Sequence, residues 1–314
     1  PTSEFVKRGD FSKQLIDGRK PLPHQSEGAR WLVSMRGALL ADEMGLGKTL
    51  TALLAARAIS RSVLIKVMVI APAGLHNHWL KEANSLSLKI DLHSWARIPS
   101  ELNNEGTLLI VDEAHFAQSI NSKRTKALLR LSRHPYLRCI WLLTGTPIKN
   151  GRPKQIYPLL AAIHHPITLN RSLYEHYFVD TNNIFNNQLV LNTRKLDKLN
   201  ELRKSIKPFT LNRKKNIILD LPLKNRKKYQ IKLSSNENKG LEHRINLVIE
   251  NYRNRVEKGL VRKETEALVV LSAMRQITAE FKLSFVSKLL RDEIGKENPV
   301  ILFSNFLQPL YLLK

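Results

Sequence analysis

The segment with the clearest chemical potential runs from Ala41 to Leu50 and reads ADEMGLGKTL. Its two glycines can turn backbone N–H groups toward the oxygens of a phosphate group. Lys48 can neutralise the β- and γ-phosphates of a nucleotide, and the hydroxyl of Thr49 can bind Mg²⁺. Asp42, however, occupies the place of the first glycine in the general G-x-x-x-x-G-K-[ST] pattern. Taken alone, the segment could be a coincidental glycine-rich turn, so its interpretation depends on the surrounding motifs.

Two adjacent acids form the second candidate group. Asp112 and Glu113 follow the apolar run TLLIV and begin the tetrapeptide DEAH. One such carboxylate can hold Mg²⁺ while the next polarises an attacking water molecule. Adjacent acids at a strand end are more often helix caps, but their position behind a phosphate loop favours the catalytic interpretation. Gln25, which precedes the loop, could read an adenine edge through paired hydrogen bonds, although an isolated glutamine is more often a surface residue.

Four short apolar runs predict the strands that would position these residues. They are Gly37 to Leu40, Val67 to Ile70, Thr107 to Val111 and Cys139 to Leu143. The runs are followed by the phosphate loop, Ala71-Pro72, Asp112-Glu113 and Thr144-Gly145-Thr146, respectively. Leu50 to Ile59 predicts the helix after the phosphate loop. Because the carboxyl ends of parallel strands meet at one edge of a sheet, the pattern predicts an α/β fold whose motifs share that edge.

The pattern changes near residue 221, where the strand signal stops. Apolar residues at intervals of three and four then predict a helix through Ile245, Val248, Tyr252, Val256 and Leu260. Glu266 to Leu290 predicts a second helical stretch, and Pro299 to Phe303, reading PVILF, predicts a new buried strand. The chain thus predicts a helical region followed by the start of another sheet.

The charge of the chain is strongly positive, with 51 Lys and Arg against 27 Asp and Glu and a formal net charge of +24. Such a surplus repels itself unless a polyanion offsets it, so we expect a nucleic-acid partner; the stretch from Arg194 to Lys228 is especially basic. A single cysteine, Cys139, excludes an internal disulfide framework and a cysteine zinc site. The sequence has no long apolar run and no signal-peptide core, which favours a cytosolic, nucleoid or, in a eukaryote, nuclear location without membrane insertion.

Five sequence blocks occur in order: PLPHQSEGARWL, ADEMGLGKT, VIAPAGLHNHW, LLIVDEAH and LLTGTPIKN. In order and spacing they resemble the Swi/Snf-type ATPases of helicase superfamily 2, in which Asp is the usual residue at the position of Asp42. PFTLNRKKNIILDLPLKN, LVVLSAMRQITAEFK and VILFSNF resemble later segments of that family. The resemblance implies a RecA-like parallel sheet with flanking helices, a helical insertion and a truncated second RecA-like lobe. It divides the chain into a first lobe at 1–220, an insertion at 221–295 and the first strand of the second lobe at 296–314.

The resemblance implies ATP and Mg²⁺ as cofactors. Gln25 would contact adenine, and the loop would bind the nucleotide through Gly45, Leu46, Gly47, Lys48, Thr49 and Leu50. Thr49 and Asp112 would bind Mg²⁺. Glu113 would be the general base, with Lys48 and Asp112 as the other catalytic residues. His115 and Thr146 would couple the nucleotide state to the grip on DNA.

In this family, two loops lie along one strand of duplex DNA. The contacts that the resemblance implies are Pro72, Ala73, Gly74, Leu75, Trp95, Thr144, Gly145 and Lys149. Trp95 and Trp79 can also be interpreted as core aromatics, and we favour that interpretation for Trp79. Two departures from the family concern this region and the basic segment: Gly74 replaces a usual Ser or Thr, and Asn212 replaces the first arginine of an Arg-Arg pair, leaving Arg213.

Together these features predict a monomeric, ATP-driven translocase on double-stranded DNA. In the family, arginines of the second lobe reach the γ-phosphate, and none follows Phe303 to do so, so we expect the isolated chain to hydrolyse ATP weakly or not at all. Two alternatives stay open. One is a strand-separating helicase or restriction-enzyme motor of the same superfamily, and the other is a truncated ATP- or DNA-binding fragment without turnover.

Overall fold

The structure is a computed structural model that describes residues 11–102, 105–147, 152–179, 188–219, 226–261, 266–294 and 299–313. The chain divides into two compact units, Pro1–Pro222 and Leu223–Lys314. The first unit contains the sheet, and the described residues of the second unit form helices and irregular segments.

The first unit is built on a six-stranded sheet in which every neighbouring pair is parallel. Its strands are β1 (Gly37–Leu40), β2 (Lys66–Ala71), β3 (Asp91–Ser94), β4 (Thr107–Val111), β5 (Leu137–Leu143) and β6 (Thr210–Leu211). Their order across the sheet is β3-β2-β4-β5-β1-β6. The four predicted strands and the α/β fold are confirmed. β3 and β6 are not among the predicted strands, because β3 reads DLHS without an apolar run and β6 is only two residues long.

Helices flank this sheet. In the first unit they are α1 (Pro23–Val33), α2 (Lys48–Ser60), α3 (His76–Ser85), α4 (Lys123–Ser132), α5 (Pro153–Ala162), α6 (Arg171–Tyr174), α7 (Gln188–Ile206) and α8 (Lys215–Ile218). Short 3₁₀ turns lie at Ala73–Leu75, Ala114–Ala117, Pro166–Thr168 and Lys207–Phe209, and a π-helical turn lies at Glu175–Val179. Within the described ranges, no helix combines the length and the apolar character that crossing a membrane requires.

The strands separate two apolar clusters, because successive side chains of a strand point to opposite faces of the sheet. Ala38 and Leu40 of β1 belong to the same cluster as Leu53 of α2. Leu39, between them, belongs to the other cluster together with Leu159 of α5. Burial on both faces fixes the register of β1 and therefore the point at which the phosphate loop leaves it.

The strand order brings the predicted motifs to one edge. β5 lies between β1 and β4, with Leu143 paired to Leu40 and Leu142 paired to Val111. The phosphate loop, the Thr144-Gly145-Thr146 loop and the acid pair therefore leave three adjacent strands at the same end. β2 lies next to β4 and adds its own exit loop to this edge. Ligands of open parallel sheets bind at such an edge.

The second unit contains α9 (Ser235–Glu257), α10 (Glu266–Phe281), α11 (Leu283–Ile294) and α12 (Leu307–Leu312). Ser234 caps α9 through a reciprocal pair of hydrogen bonds with Glu237. The same helix ends in a Schellman motif at Gly259, whose φ is +68°, so Leu260 lies beyond the helix and not on its apolar stripe. The second predicted helix forms as well, but it is divided at Lys282 into α10 and α11.

The strand predicted at 299–303 is not formed. These residues have no regular secondary structure, and Ile301 and Phe303 are 80% and 88% exposed. A buried parallel strand needs neighbouring strands, and the part of this unit that the structure describes offers none for pairing. The assignment of 221–295 as an insertion and of 296–314 as the start of a second lobe stays a prediction.

Candidate active site

The phosphate loop leaves β1 and turns directly into α2. Gly45 and Gly47 have φ values of +88° and +74°, in the left-handed region that favours glycine. A Cβ at Gly47 would also collide with Nε2 of Gln25, so a side chain at this position would require the Gln25 amide to move. Gly47 is the N-cap residue of α2, where the first N–H groups of a helix lack partners within the helix. The arrangement suits an anionic ligand.

Lys48 places its amine at this loop. Its Nζ donates a hydrogen bond to the backbone oxygen of Asp42 at 2.9 Å. Burial lowers the pKa of Lys48, and the carboxylates of Glu113, Asp112 and Asp42 oppose that shift. A Cβ at Gly145 would lie 3.8 Å from Lys48 Nζ. Lys48 therefore lies among the phosphate loop, the acid pair and the Thr-Gly-Thr loop.

Asp42 has a partner that the sequence analysis did not identify. Its carboxylate is fully buried and accepts hydrogen bonds of 2.5 to 3.2 Å from the backbone N–H and the guanidinium of Arg213. Arg213 Nη1 also donates to the backbone oxygen of His24 at 2.6 Å. Next to this pair, the backbone N–H of Lys215 donates to the Glu43 carboxylate at 2.7 Å. The acid in the usual glycine position is thus half of a buried ion pair that ties the segment after β6 to the phosphate loop.

Two indoles hold Asp112 at the end of β4. Trp79 Nε1 donates to Oδ2 of the carboxylate, and Trp95 Nε1 donates to the backbone oxygen, both at 2.9 Å. The backbone N–H of Glu113 donates to Oδ1, also at 2.9 Å. Burial raises the pKa of Asp112, and the hydrogen bonds from Trp79 and Glu113 act in the opposite direction. Trp79 is fully buried, which confirms the core interpretation, and it orients the carboxylate as well.

Two residues predicted to contact DNA lie inside the fold. Trp95 is 5% exposed, and its indole N–H is already bonded to the backbone of Asp112. Thr144 is fully buried, and its Oγ1 accepts a hydrogen bond from the N–H of Thr146 at 3.1 Å. Both side chains shape the loops at this edge, so a contact of either residue with DNA would be made by backbone atoms. The two contacts stay predictions.

Glu113 and His115 form the more exposed part of the acid motif. Glu113 has a φ of +48°, an uncommon conformation for a residue other than glycine and one that occurs at functional sites. His115 Nδ1 lies 3.0 Å from Glu113 Oε2, and the two side chains are 34% and 26% exposed. A partly exposed carboxylate beside a histidine can accept a proton from a water molecule at the mouth of the site.

Gln118 joins the acid motif to the Thr-Gly-Thr loop. Its Nε2 donates to the backbone oxygens of Thr146 and Pro147, at 3.2 and 3.1 Å. Thr146 itself is exposed. Gln118 is not among the predicted site residues, because a lone glutamine after the DEAH motif has no recognisable spacing to a partner. A movement of either loop must strain or break these two hydrogen bonds.

The loop after β2 presents three uncharged residues to solvent. Ala73–Leu75 are exposed, and Pro72 is partly buried. A Cβ at Gly74 would meet open space, so packing does not require a glycine there. Gly145 is partly buried beside the phosphate loop. Lys149 lies outside the described residues.

The remaining predicted nucleotide contacts divide between core and surface. Leu46 and Leu50 are buried, so their contact with a nucleotide would be made by backbone atoms. Thr49 is partly exposed in the first turn of α2. Gln25 is 7% exposed, and its Oε1 accepts a hydrogen bond from the N–H of Leu22 at 2.9 Å. The contact of Gln25 with adenine stays a prediction.

A parallel sheet, a glycine-rich loop between β1 and α2, and an acid pair after β4 define a P-loop nucleotide-binding domain of the RecA-like type. The model of the SNF2-related domain matches residues 24–95 and 94–283 of the chain. The chain therefore belongs to the SNF2-related domain family, and the resemblance to Swi/Snf-type ATPases is confirmed.

Several known proteins are similar to the chain. The SNF2 domain-containing protein ENL1 of Oryza sativa subsp. japonica is 28% identical over 273 residues, which cover 70% of this chain and 27% of that protein. The chromatin-remodeling ATPase INO80 of Arabidopsis thaliana is 29% identical over 258 residues, which cover 68% of this chain and 17% of that protein. The chain thus spans only 17% to 27% of the length of these curated relatives.

Among solved structures, the Sulfolobus solfataricus SWI2/SNF2 ATPase core in complex with dsDNA is similar in fold. It matches with a TM-score of 0.55 and 20% sequence identity, and the alignment covers 95% of this chain and 69% of that one. The RecA-like fold implied by the sequence motifs is confirmed by this likeness and by the six-stranded parallel sheet.

Proposed function

We propose that the protein carrying this chain is an ATP-driven translocase on double-stranded DNA, in which the first unit is the first nucleotide-binding lobe. The shared edge of the sheet carries the proposal, because the Lys48 amine, the Asp112-Glu113 pair and two loops with exposed residues leave neighbouring strands there. The similar Sulfolobus core was solved with dsDNA, which adds support. The proposal includes a monomeric motor that works on chromosomal DNA, in a nucleoid or a nucleus.

The residues of the site fit ATP and Mg²⁺. The loop forms a cradle in which a side chain at Gly47 would collide with its surroundings, and Lys48 stands beside it as the cation for the phosphates. Thr49 and Asp112 would hold the metal ion. A carboxylate has about four acceptor positions, and Trp79 and Glu113 together engage two of those on Asp112. When bound, Mg²⁺ neutralises charge on the phosphate oxygens.

Glu113 is the general base in this proposal. Its carboxylate is 26% exposed, so water can reach it, and His115 Nδ1 lies 3.0 Å from Oε2. Oε1 or Oε2 would accept the proton of the attacking water, and His115 would keep the carboxylate oriented toward that water. The left-handed backbone of Glu113 turns the chain out of the extended course of β4.

Gln118 links ATP hydrolysis to DNA contact in this proposal. Its amide group binds the backbone of Thr146 and Pro147, while Gly145 in the same loop lies close to Lys48. A displacement of the phosphates would therefore be transmitted to the Thr144-Gly145-Thr146 loop by two routes, one through Gln118 and one through Lys48 beside Gly145. The DNA backbone contacts that we propose are made by this loop and by Ala73–Leu75.

We expect Trp79→Phe to raise the Mg²⁺ concentration for half-maximal ATP hydrolysis about tenfold, because Asp112 loses the donor that orients its carboxylate. Trp141→Phe is the matched control, since Trp141 is equally buried and donates to the backbone oxygen of Met35. Mg²⁺ titrations of the ATPase rate of the protein that carries this chain measure the effect, and melting temperatures separate it from a loss of stability. Equal Mg²⁺ requirements in the two variants would contradict the orienting role of Trp79.

ATP turnover by the protein that carries this chain, measured with and without duplex DNA, tests the proposed function. We expect duplex DNA to stimulate turnover and a triplex-displacement assay to show release of the third strand from an intact duplex. Turnover that does not respond to DNA would overturn the proposal. Separation of the duplex strands would support the strand-separating helicase in its place.

We expect duplex binding to weaken steeply with salt, because the chain has a net charge of +24 and binds phosphates without reading bases. Three neutralised phosphates alone predict a loss of about 40-fold in affinity between roughly 50 and 200 mM salt. Fluorescence anisotropy with two labelled duplexes of unrelated sequence measures both the slope and its independence of sequence. A flat salt dependence would show that the basic surplus does not serve DNA binding.

A further inference from the structure

Arg213 reaches the phosphate loop from the segment that follows β6. Side-chain exposure is 10% for Arg213 and 0% for Asp42, so water hardly reaches their ion pair. A Cβ at Gly28 would lie 2.8 Å from Arg213 Nη2, which shows how closely α1 covers the guanidinium. The N–H of Glu43 also donates to the backbone oxygen of Arg213 at 3.0 Å. Removal of one partner from such a buried pair leaves the other as an uncompensated charge.

Asp42 connects Arg213 to Lys48. The carboxylate of Asp42 accepts hydrogen bonds from the guanidinium, and its backbone oxygen accepts one from Lys48 Nζ at 2.9 Å. The same carboxylate attracts the Lys48 ammonium electrostatically. Arg213 therefore acts on Lys48 through a single intervening residue.

We propose that Arg213 is a positioning residue for nucleotide binding, which compensates the Asp42 carboxylate so that Lys48 stays available for phosphate. The inference rests on the proposed ATP site and deepens it. Without the guanidinium, Asp42 would hold a buried, uncompensated negative charge within reach of a lysine side chain. If the Lys48 ammonium pairs with the Asp42 carboxylate, it is no longer available to bind the phosphates. Loops of the general pattern carry glycine at this position and need no such partner.

The test compares the affinity of the complete chain for a fluorescent ATP analogue in four variants. They are Arg213→Ala, Arg213→Lys, Asp42→Asn and the double variant Arg213→Ala/Asp42→Asn. Lys214→Ala is the matched control, because Lys214 is a neighbouring cation that is exposed. Lys48→Ala reports on the nucleotide site itself. The melting temperature of each variant without nucleotide records its stability.

We expect Arg213→Ala to weaken binding about tenfold, as loss of a charge-assisted contact at Lys48 would. Asp42→Asn in the same chain should restore most of this affinity, because it removes the competing charge. Arg213→Lys keeps the charge without the forked geometry and should lie between wild type and Arg213→Ala. Lys214→Ala should bind as wild type does.

Two results would overturn the inference: wild-type affinity in Arg213→Ala, or a double variant that binds no better than Arg213→Ala. If Arg213→Ala does not fold, the affinities of Arg213→Lys and of the double variant are each compared with that of wild type. Weaker binding by Arg213→Lys together with near wild-type binding by the double variant supports the inference, and wild-type affinity in Arg213→Lys overturns it. Failure of the proposed ATP site looks different, since wild type and Lys48→Ala would then bind the analogue equally. A loss confined to Lys48→Ala, with unchanged Arg213 variants, contradicts the role of Arg213 alone.

Discussion

In the protein that carries this chain, we expect ATP to bind about 10- to 100-fold more weakly to Lys48→Ala than to wild type, and turnover to fall to background. The physical reason is the position of Nζ, which rests 2.9 Å from the Asp42 backbone oxygen beside a cradle that accepts anions. Burial has removed part of the hydration of this amine, which lowers the pKa of Lys48. The amine therefore gives up less hydration when a phosphate replaces Asp42 as its partner. Titration with a fluorescent ATP analogue and a phosphate-release assay measure the two effects.

Lys66→Ala is the control for Lys48→Ala. Lys66 is also partly buried and engaged, in an ion pair with Asp91 at 2.7 Å, but it lies at the amino end of β2, away from the motifs. Its loss should leave ATP affinity within about twofold of wild type, because the pair lies away from the phosphate loop and a partly exposed pair contributes little to stability. ATP affinity in Lys48→Ala equal to that of Lys66→Ala would refute the assignment of Lys48.

In the protein that carries this chain, we expect Glu113→Gln to lower the turnover number about 10²- to 10⁴-fold and to leave ATP affinity nearly unchanged. The amide has the size of the carboxylate but cannot accept a proton, so the variant loses the base and keeps the shape of the site. His115, whose Nδ1 lies 3.0 Å from Oε2 of Glu113, keeps a neighbour of the same size. Single-turnover hydrolysis together with equilibrium binding of ATP separates the rate from the affinity.

Glu175→Gln is the matched control for this variant. Glu175 is a partly exposed carboxylate paired with Arg171 at 2.9 Å, and it lies in the turn after α6, outside the motifs. Its turnover number should equal that of wild type. If Glu113→Gln retained a wild-type turnover number, the base would have to be sought elsewhere in the site.

The fold could be predicted where a strand has a clear local sequence pattern. β1, β2, β4 and β5 are apolar runs that end in recognisable motifs, and all four form. β3 and β6 are defined by pairing with β2 and β1 at the two edges of the sheet, and a short or polar edge strand carries little local pattern. The run at 299–303 shows the converse: its apolar residues predict a strand, but strand formation depends on a neighbour as well as on composition.

Residues of the site could be predicted when the chemistry follows from spacing within one segment. Lys48 and the acid pair are of this kind, and the structure brings them to one edge. Asp42 and Arg213 form an ion pair across 171 residues of sequence, and no local pattern predicts a contact between them. Trp95 shows a different limit, because an aromatic near a functional loop can serve the surface or the core, and only burial decides between the two.

The two indoles that donate to Asp112 have a practical consequence. The chain has four tryptophans, and two of them are hydrogen-bonded to the residue proposed to hold the metal ion. Indole emission responds to the charge and hydrogen bonding around the ring, so we expect a change in the charge at Asp112 to alter the emission of Trp79 and Trp95. Such a change would allow occupancy of the proposed site to be followed in real time without a label.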